Sequence, residues 1–218
     1  MTEKIQVGVI GLGKFGFQFG RTLANKKVQV IGVDHRPENI TRAKMVFTHV
    51  FEADASNKQA LLQLGFADLT HVLVSVGDSI AASSMISMFL KEMNGPKVWV
   101  KAINEDHEKL LRKIGADEVF IPENLAAKQL ANRLVIPGFI EQLPFADNMA
   151  IREIVVNNWA NKKLSEIDLT NRYRVQVIAI KKSMAETYTF VPKANDFLEA
   201  NDILVVIGDI EELGRLKP

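Results

Sequence analysis

Six short runs rich in β-branched residues punctuate the first two-thirds of the chain: Val7–Ile10, Val28–Val33, Val46–Phe51, Val72–Val76, Val98–Lys101 and Val119–Ile121. Runs this short and this continuously apolar describe strands covered on both faces, as in a parallel sheet. Helical spacing fills the intervals. Phe15, Phe19 and Leu23 recur every four residues, Ala81–Met93 is closed by Asn94-Gly95-Pro96, and Glu105–Ile114 stops at Gly115. Strand alternating with helix over such short connections predicts an α/β fold, a Rossmann-like doubly wound parallel sheet.

The rhythm then changes. Leu134–Phe145 contains Pro137-Gly138 and Pro144, which break a helix begun near Asn124. Strand-like runs follow at Met149–Val156, Arg174–Lys181, Tyr188–Val191 and Ile203–Ile207, with little helix between the second and third. The pattern predicts a nucleotide-binding Rossmann domain over residues 1–137, a linker over 138–148 and a small α+β lobe over 149–218.

Composition narrows the function. A net charge of +1 with no basic run argues against a nucleic-acid partner. The absence of cysteine excludes disulfides, iron–sulfur clusters, thiolate zinc sites and a cysteine nucleophile together. The four histidines (His35, His49, His71 and His107) lack metal-ligand spacing and are expected at the surface or at strand ends. No serine stands in a Gly-x-Ser-x-Gly elbow. The apolar stretches fall well short of the roughly 20 residues that span a bilayer. The opening Met-Thr-Glu-Lys carries no export sequence, so a cytoplasmic protein without membrane insertion is expected.

Chemistry concentrates in "VIGLGKFGFQFG", Val9–Gly20, where an apolar strand breaks into glycines at 11, 13 and 16 with Lys14 and Phe15 between the last two. Gly11 would make the tight turn, Gly13 would admit a pyrophosphate to the backbone, and Gly16 would let the following helix lie close on the sheet. The helix start offers N–H groups and partial positive charge to phosphates. No Gly-Lys-Ser or Gly-Lys-Thr follows, so this is not a Walker loop. "VIGVDHRP" sets Asp34 at a strand end about twenty residues on, where an acid meets ribose hydroxyls. Its charge disfavours a 2′-phosphate, and hence NADP, even with Arg36 nearby. Asp54-Ala55, in "FEADAS", would border the adenine, and Ser75–Asp78, "SVGD", would meet the far end of the nucleotide. Ser56 and Asp78 serve equally well as ordinary helix N-caps. Met85, Met88 and Met93 read as core, with a subunit interface as the alternative.

Taken together, "VIGLGKFG", Asp34, "EADAS", "VSVGDSIAAS", "VWVKA" and above all "KIGADEVFIPE" resemble the RCK (KTN/TrkA-N) domain found in cytoplasmic regulatory subunits of Ktr and Trk potassium-uptake systems. The tail from residue 149 resembles the TrkA-C (RCK-C) lobe, and the length resembles the short single-RCK Ktr type. The resemblance implies no enzyme chemistry. It implies a homodimer assembling into an octameric ring beneath a membrane potassium transporter, peripheral to the inner face of the membrane. ATP and ADP compete for the N-terminal lobe of Ktr members, while some Trk relatives use NAD or NADH. By the same resemblance Gly11, Gly13 and Gly16 would contact phosphates. Asp34, with His35 beside it, would meet the ribose, and Asp54 and Ala55 the adenine. Ser75, Gly77 and Lys101 would line the crevice. Glu123 would sit near the dimer-mate's γ-phosphate, where a divalent cation (Mg²⁺ or Ca²⁺) bridges. Lys14 stands where the family usually has an arginine that reaches the γ-phosphate, keeping the charge without the bidentate fork. In the tail, "TNRYRVQV" departs from the stretch found in relatives that bind cyclic di-AMP, so that ligand is not expected. The alternative is a small NAD-dependent oxidoreductase. It would need an acid–base group from the tail, which holds no histidine and has Glu166, Asp168, Asp196 and Asp202 in loop or turn contexts. A redox-sensing repressor would need a basic winged helix that the sequence does not show.

Overall fold

The computed structural model describes residues 4–77, 79–142 and 148–218; Asp78 and residues 143–147, Pro144 among them, lie outside it. The chain divides into two compact units, Met1–Pro122 and Glu123–Pro218.

In the first unit the β-branched runs become β1 (Gln6–Ile10), β2 (Gln29–Asp34), β3 (His49–Glu52), β4 (His71–Val74), β5 (Lys97–Lys101) and β6 (Glu118–Phe120). They pair in parallel in the order β3-β2-β1-β4-β5-β6, with the order reversing between β1 and β4. The helices are α1 (Lys14–Asn25), α2 (Pro37–Lys44), α3 (Lys58–Gln63), α4 (Ile80–Glu92) and α5 (Glu105–Ile114). Successive strand residues feed opposite cores, as the two-residue period requires. Val7, Val9 and Leu73 join the α1 and α2 side, whereas Ile10, Val72 and Val74 join the side of α3, α4 and α5. The third strand begins three residues later than its apolar run because Phe47 turns inward. Its ring fills the space a Cβ would need at Gly20 and Gly32.

Local chemistry bounds these helices, and Gly115 ends α5 as expected. Asn57, Ser79 and Asn104 cap α3, α4 and α5 with side-chain oxygens, and Gly115 closes α5 at φ 95°. Ser56 is therefore not the cap of α3; Asp78 lies outside the described residues.

The second unit takes in most of α6 (Pro122–Val135), then β7 (Phe139–Gln142), β8 (Met149–Val155), α7 (Leu164–Ile167), α8 (Leu169–Tyr173), β9 (Gln176–Lys181), β10 (Thr189–Phe190), β11 (Ile203–Asp209) and α9 (Ile210–Arg215). Its sheet is antiparallel, in the order β10-β9-β11-β8-β7. Part of the stretch expected as linker thus forms a strand. Pro137-Gly138 ends the helix, but Gly138 at φ 75° also lets the backbone pass against the Glu153 carbonyl, and Phe139 swings into the core. The strand expected from Arg174 starts at Gln176, because Arg174 adopts a left-handed conformation at the end of α8. Asp202 is fully buried, bound to Lys182 Nζ at 2.8 Å and to the N–H groups of Ser183 and Glu199.

Candidate functional site

A crevice of about 320 Å³ opens at the C-terminal ends of β1, β2, β3 and β4. This is the switch point of a doubly wound sheet, where two neighbouring connections leave in opposite directions and part the backbone. Its walls bring together Gly11, Asp34, His35, Asp54, Ala55, Ser75 and Gly77 of the expected set, together with Arg36, Ser56 and Ser79.

The glycines divide by role. Gly11 takes φ 88°, and a Cβ there would stand 2.6 Å from the Ser75 carbonyl oxygen. A Cβ at Gly16 would collide with the Gly11 carbonyl, so this glycine lets α1 close over the turn. Gly13 differs, since among the described residues a Cβ there would meet nothing within 4 Å. It is the N-cap of α1 and brings no side-chain oxygen to the first turn, so the N–H groups there are left to something other than a capping side chain.

Asp34 is the most constrained polar group of the site, its side chain only 2% exposed. Oδ2 accepts from Leu12 N–H at 2.7 Å and from Asn39 Nδ2 at 2.9 Å. Oδ1 accepts from Arg36 N–H at 2.9 Å, with Arg36 Nε at 3.6 Å. Burial would raise the carboxyl pKa. The N–H groups of Arg36 and Leu12, the Asn39 amide and the Arg36 charge outweigh it and hold the group ionised below the ordinary carboxylate value. Of roughly four acceptor positions on a carboxylate, three are filled, and Oδ1 retains the capacity for one hydroxyl. Across the crevice Asp54 Oδ1 accepts from Ser56 N–H and Oγ, and these hydrogen bonds lower its pKa.

Other expected residues stand apart. Lys14 is exposed in the first turn of α1. Phe15 lays its ring on Phe120, 5.5 Å between centroids, and so packs on the sheet. Lys101 ends β5, half-buried. Glu123 belongs to the second unit, in the first turn of α6. Among the described residues no three His, Asp or Glu side chains gather as a metal site. Met85 and Met88 on α4 are exposed while Ile86 and Leu90 are buried, so this helix is core on one face only. His107 corrects the expectation for the histidines. It is buried between α5 and α4, where its Nε2 lies 2.9 Å from Ser83 Oγ. Asn39 and Arg42 had no sequence signal beyond polarity, since neither belongs to a motif and Asn39 lies on the buried face of α2 beside Ile40 and Ala43.

Family models match both units: the TrkA-N domain over residues 7–122 and the TrkA-C domain over 149–218. The chain belongs to the TrkA-N/TrkA-C (RCK) family. Among proteins of this kind, it is 31% identical over 215 residues to Ktr system potassium uptake protein C of Bacillus subtilis (strain 168), covering 98% of this chain and 96% of that one. It is 30% identical to Ktr system potassium uptake protein A of the same organism, covering 97% and 95%. Among solved structures the GsuK channel bound to NAD shares the fold, with a TM-score of 0.56 at 20% identity. The match covers 96% of this RCK chain but only 37% of the channel's. No helix of the described residues is long and apolar enough to cross a membrane.

Proposed function

We propose that this RCK protein is a regulatory subunit of a Ktr-type potassium uptake system and that the crevice of its first unit binds an adenine nucleotide, ATP or ADP, with NAD or NADH as the second choice. The observation that carries the reading is the convergence, at one switch-point crevice, of Asp34 with an acceptor position to spare and a glycine turn whose Gly13 faces open space. Near-full-length similarity to Ktr uptake proteins supplies the physiological setting. The oxidoreductase alternative loses a candidate acid–base group, since Asp202 is committed to Lys182 in the core.

Regulation follows as a population shift: a ligand favours one subunit arrangement only by its differential affinity for it. Lys14 contacting a third phosphate, and Glu123 holding a magnesium or calcium ion across a subunit seam, would provide that difference between ATP and ADP. The assembly would be a homodimer building an octameric ring, docked on the cytoplasmic face of the membrane transporter.

Calorimetric titration with ATP, ADP, NAD and NADH, each with and without Mg²⁺, tests the proposal. At least one should bind more tightly than about 100 μM. Absence of binding by all four at millimolar concentration overturns it.

A further inference from the structure

The peptide groups on both sides of Leu12 are held by side chains, one from the end of β2 and one from α2. Leu12 N–H donates to Asp34 Oδ2 at 2.7 Å, and the Leu12 carbonyl accepts from Arg42 Nη2 at 2.6 Å. Arg42 Nη2 also reaches Asn39 Oδ1 at 3.2 Å, and Asn39 Nδ2 returns to Asp34 Oδ2 at 2.9 Å. The four residues close a ring: Asp34, Leu12, Arg42, Asn39. The Arg42 guanidinium lies 4.4 Å over the centre of the Phe17 ring, and Phe17 stacks on buried Phe47. An arginine braced by a ring and two acceptors loses little further freedom on making its bond to the turn.

Planarity gives this ring a consequence. In a trans peptide the carbonyl and the next N–H point opposite ways. Fixing the Leu12 carbonyl on Arg42 therefore fixes the Gly13 N–H on the side away from α2, and fixing the Leu12 N–H on Asp34 sets the peptide before it. The turn is thus oriented by side chains from two other elements, Asp34 at the end of β2 and Arg42 on α2, and not by its glycines alone.

We propose that Asn39 and Arg42 are positioning residues that hold the phosphate-binding turn in its binding orientation and tie it to the ribose acid Asp34, an assignment that rests on the nucleotide reading above. Asp34 offers its remaining acceptor position on Oδ1 while Oδ2 holds the turn, so the two halves of the ligand are read by one connected group. Removing Asn39 or Arg42 should loosen the phosphate half first.

The test is calorimetry of ADP and adenosine with the full chain and with Asn39→Ala, Arg42→Gln and Arg42→Lys. Asn39→Ala and Arg42→Gln should weaken ADP by roughly 3- to 10-fold, the size of one net hydrogen bond. Adenosine should change by less than about twofold. Arg42→Lys, still able to donate to the Leu12 carbonyl, should recover most of the ADP affinity. In the ligand-free protein, hydrogen exchange at Leu12 N–H, which Asp34 protects, should quicken in Asn39→Ala and Arg42→Gln. Arg42 is exposed, so Arg42→Gln keeps the test valid if Asn39→Ala fails to fold. Equal losses for ADP and adenosine, or no loss in either, overturn the assignment while leaving nucleotide binding intact. An unmodified chain that binds neither ligand overturns the nucleotide reading and the assignment with it.

Discussion

Among the described residues, nothing in the fold requires Gly13 to be glycine. Its φ is −63°, which any residue adopts, and a Cβ would stand in open space. Gly16, three positions on, is the reverse case, pressed against the Gly11 carbonyl. The two should part under substitution. Gly13→Ala should cost under about 1 kcal/mol of stability, the difference between glycine and alanine at an N-cap, yet abolish ADP binding in calorimetry. Gly16→Ala should lower stability by about 1–3 kcal/mol through overpacking against backbone, read as a lower urea midpoint. A Gly16→Ala protein as stable as the parent would refute the close-approach role. In the sequence the spacing assigned Gly11 the tight turn, Gly13 the pyrophosphate and Gly16 the close approach of the helix. What stands opposite each Cα, the Ser75 carbonyl at Gly11 and the Gly11 carbonyl at Gly16, is information that spacing does not carry. Asp34 was likewise legible by position, whereas the three donors that occupy it are two backbone N–H groups and the amide of Asn39, which no motif marks.

Among the elements, the α4–α5 pair shows how a helix can be placed well and a residue on it poorly. The span Glu105–Ile114 and its stop at Gly115 were legible in the sequence and stand so in the fold, where Asn104 caps the start. His107, three residues past that cap, falls on the buried face against Ser83, where it accepts the Ile103 N–H on Nδ1 at 3.2 Å. Nε2 therefore carries the proton and donates to Ser83 Oγ, and the ring is neutral. A lone polar residue on an inward face leaves no trace in composition, which is why it was expected at the surface. Burial depresses its pKa below the ordinary histidine value. The unfolded chain consequently takes up a proton first as pH falls, so stability is full above the unfolded pKa of about 6.5 and declines below it. Between pH 7.5 and 5.5 the loss is at most about 1.4 kcal/mol. Urea midpoints at those two values should differ in the parent and converge in His107→Gln. Asp34 and Asp202, with depressed pKa values, lose their contribution only on the acid side of the usual carboxylate range, so they leave this window undisturbed.

At the level of the whole molecule, apolar surface remains that the chain itself does not cover. Of the 14 residues of α6 none is buried, and Leu125, Leu130, Leu134 and Val135 are all more than 60% exposed. Helices shorter than about 12–15 residues are marginal in water without a packed face, and α6 stands at that limit. On the first unit Ile80, Met85 and Met88 of α4 and Leu110 of α5 add a second exposed apolar group. Scattered singly such residues need no explanation; gathered on helices they mark association surfaces. The sequence showed the methionines but could not tell core from interface, because both call for the same residues at the same period. A second copy of the chain is the occupant that the proposed ring supplies. Native mass spectrometry at micromolar concentration should therefore show multiples of the 24.3 kDa chain rather than the chain alone. Leu130→Glu with Leu134→Glu, and separately Met85→Glu with Met88→Glu, should each reduce the multiple. Neither pair includes a residue of the crevice, so ADP affinity measured per chain should change less than the assembly does. A parent protein found only as monomer would remove the ring, and with it the route by which a nucleotide in one unit could alter the transporter.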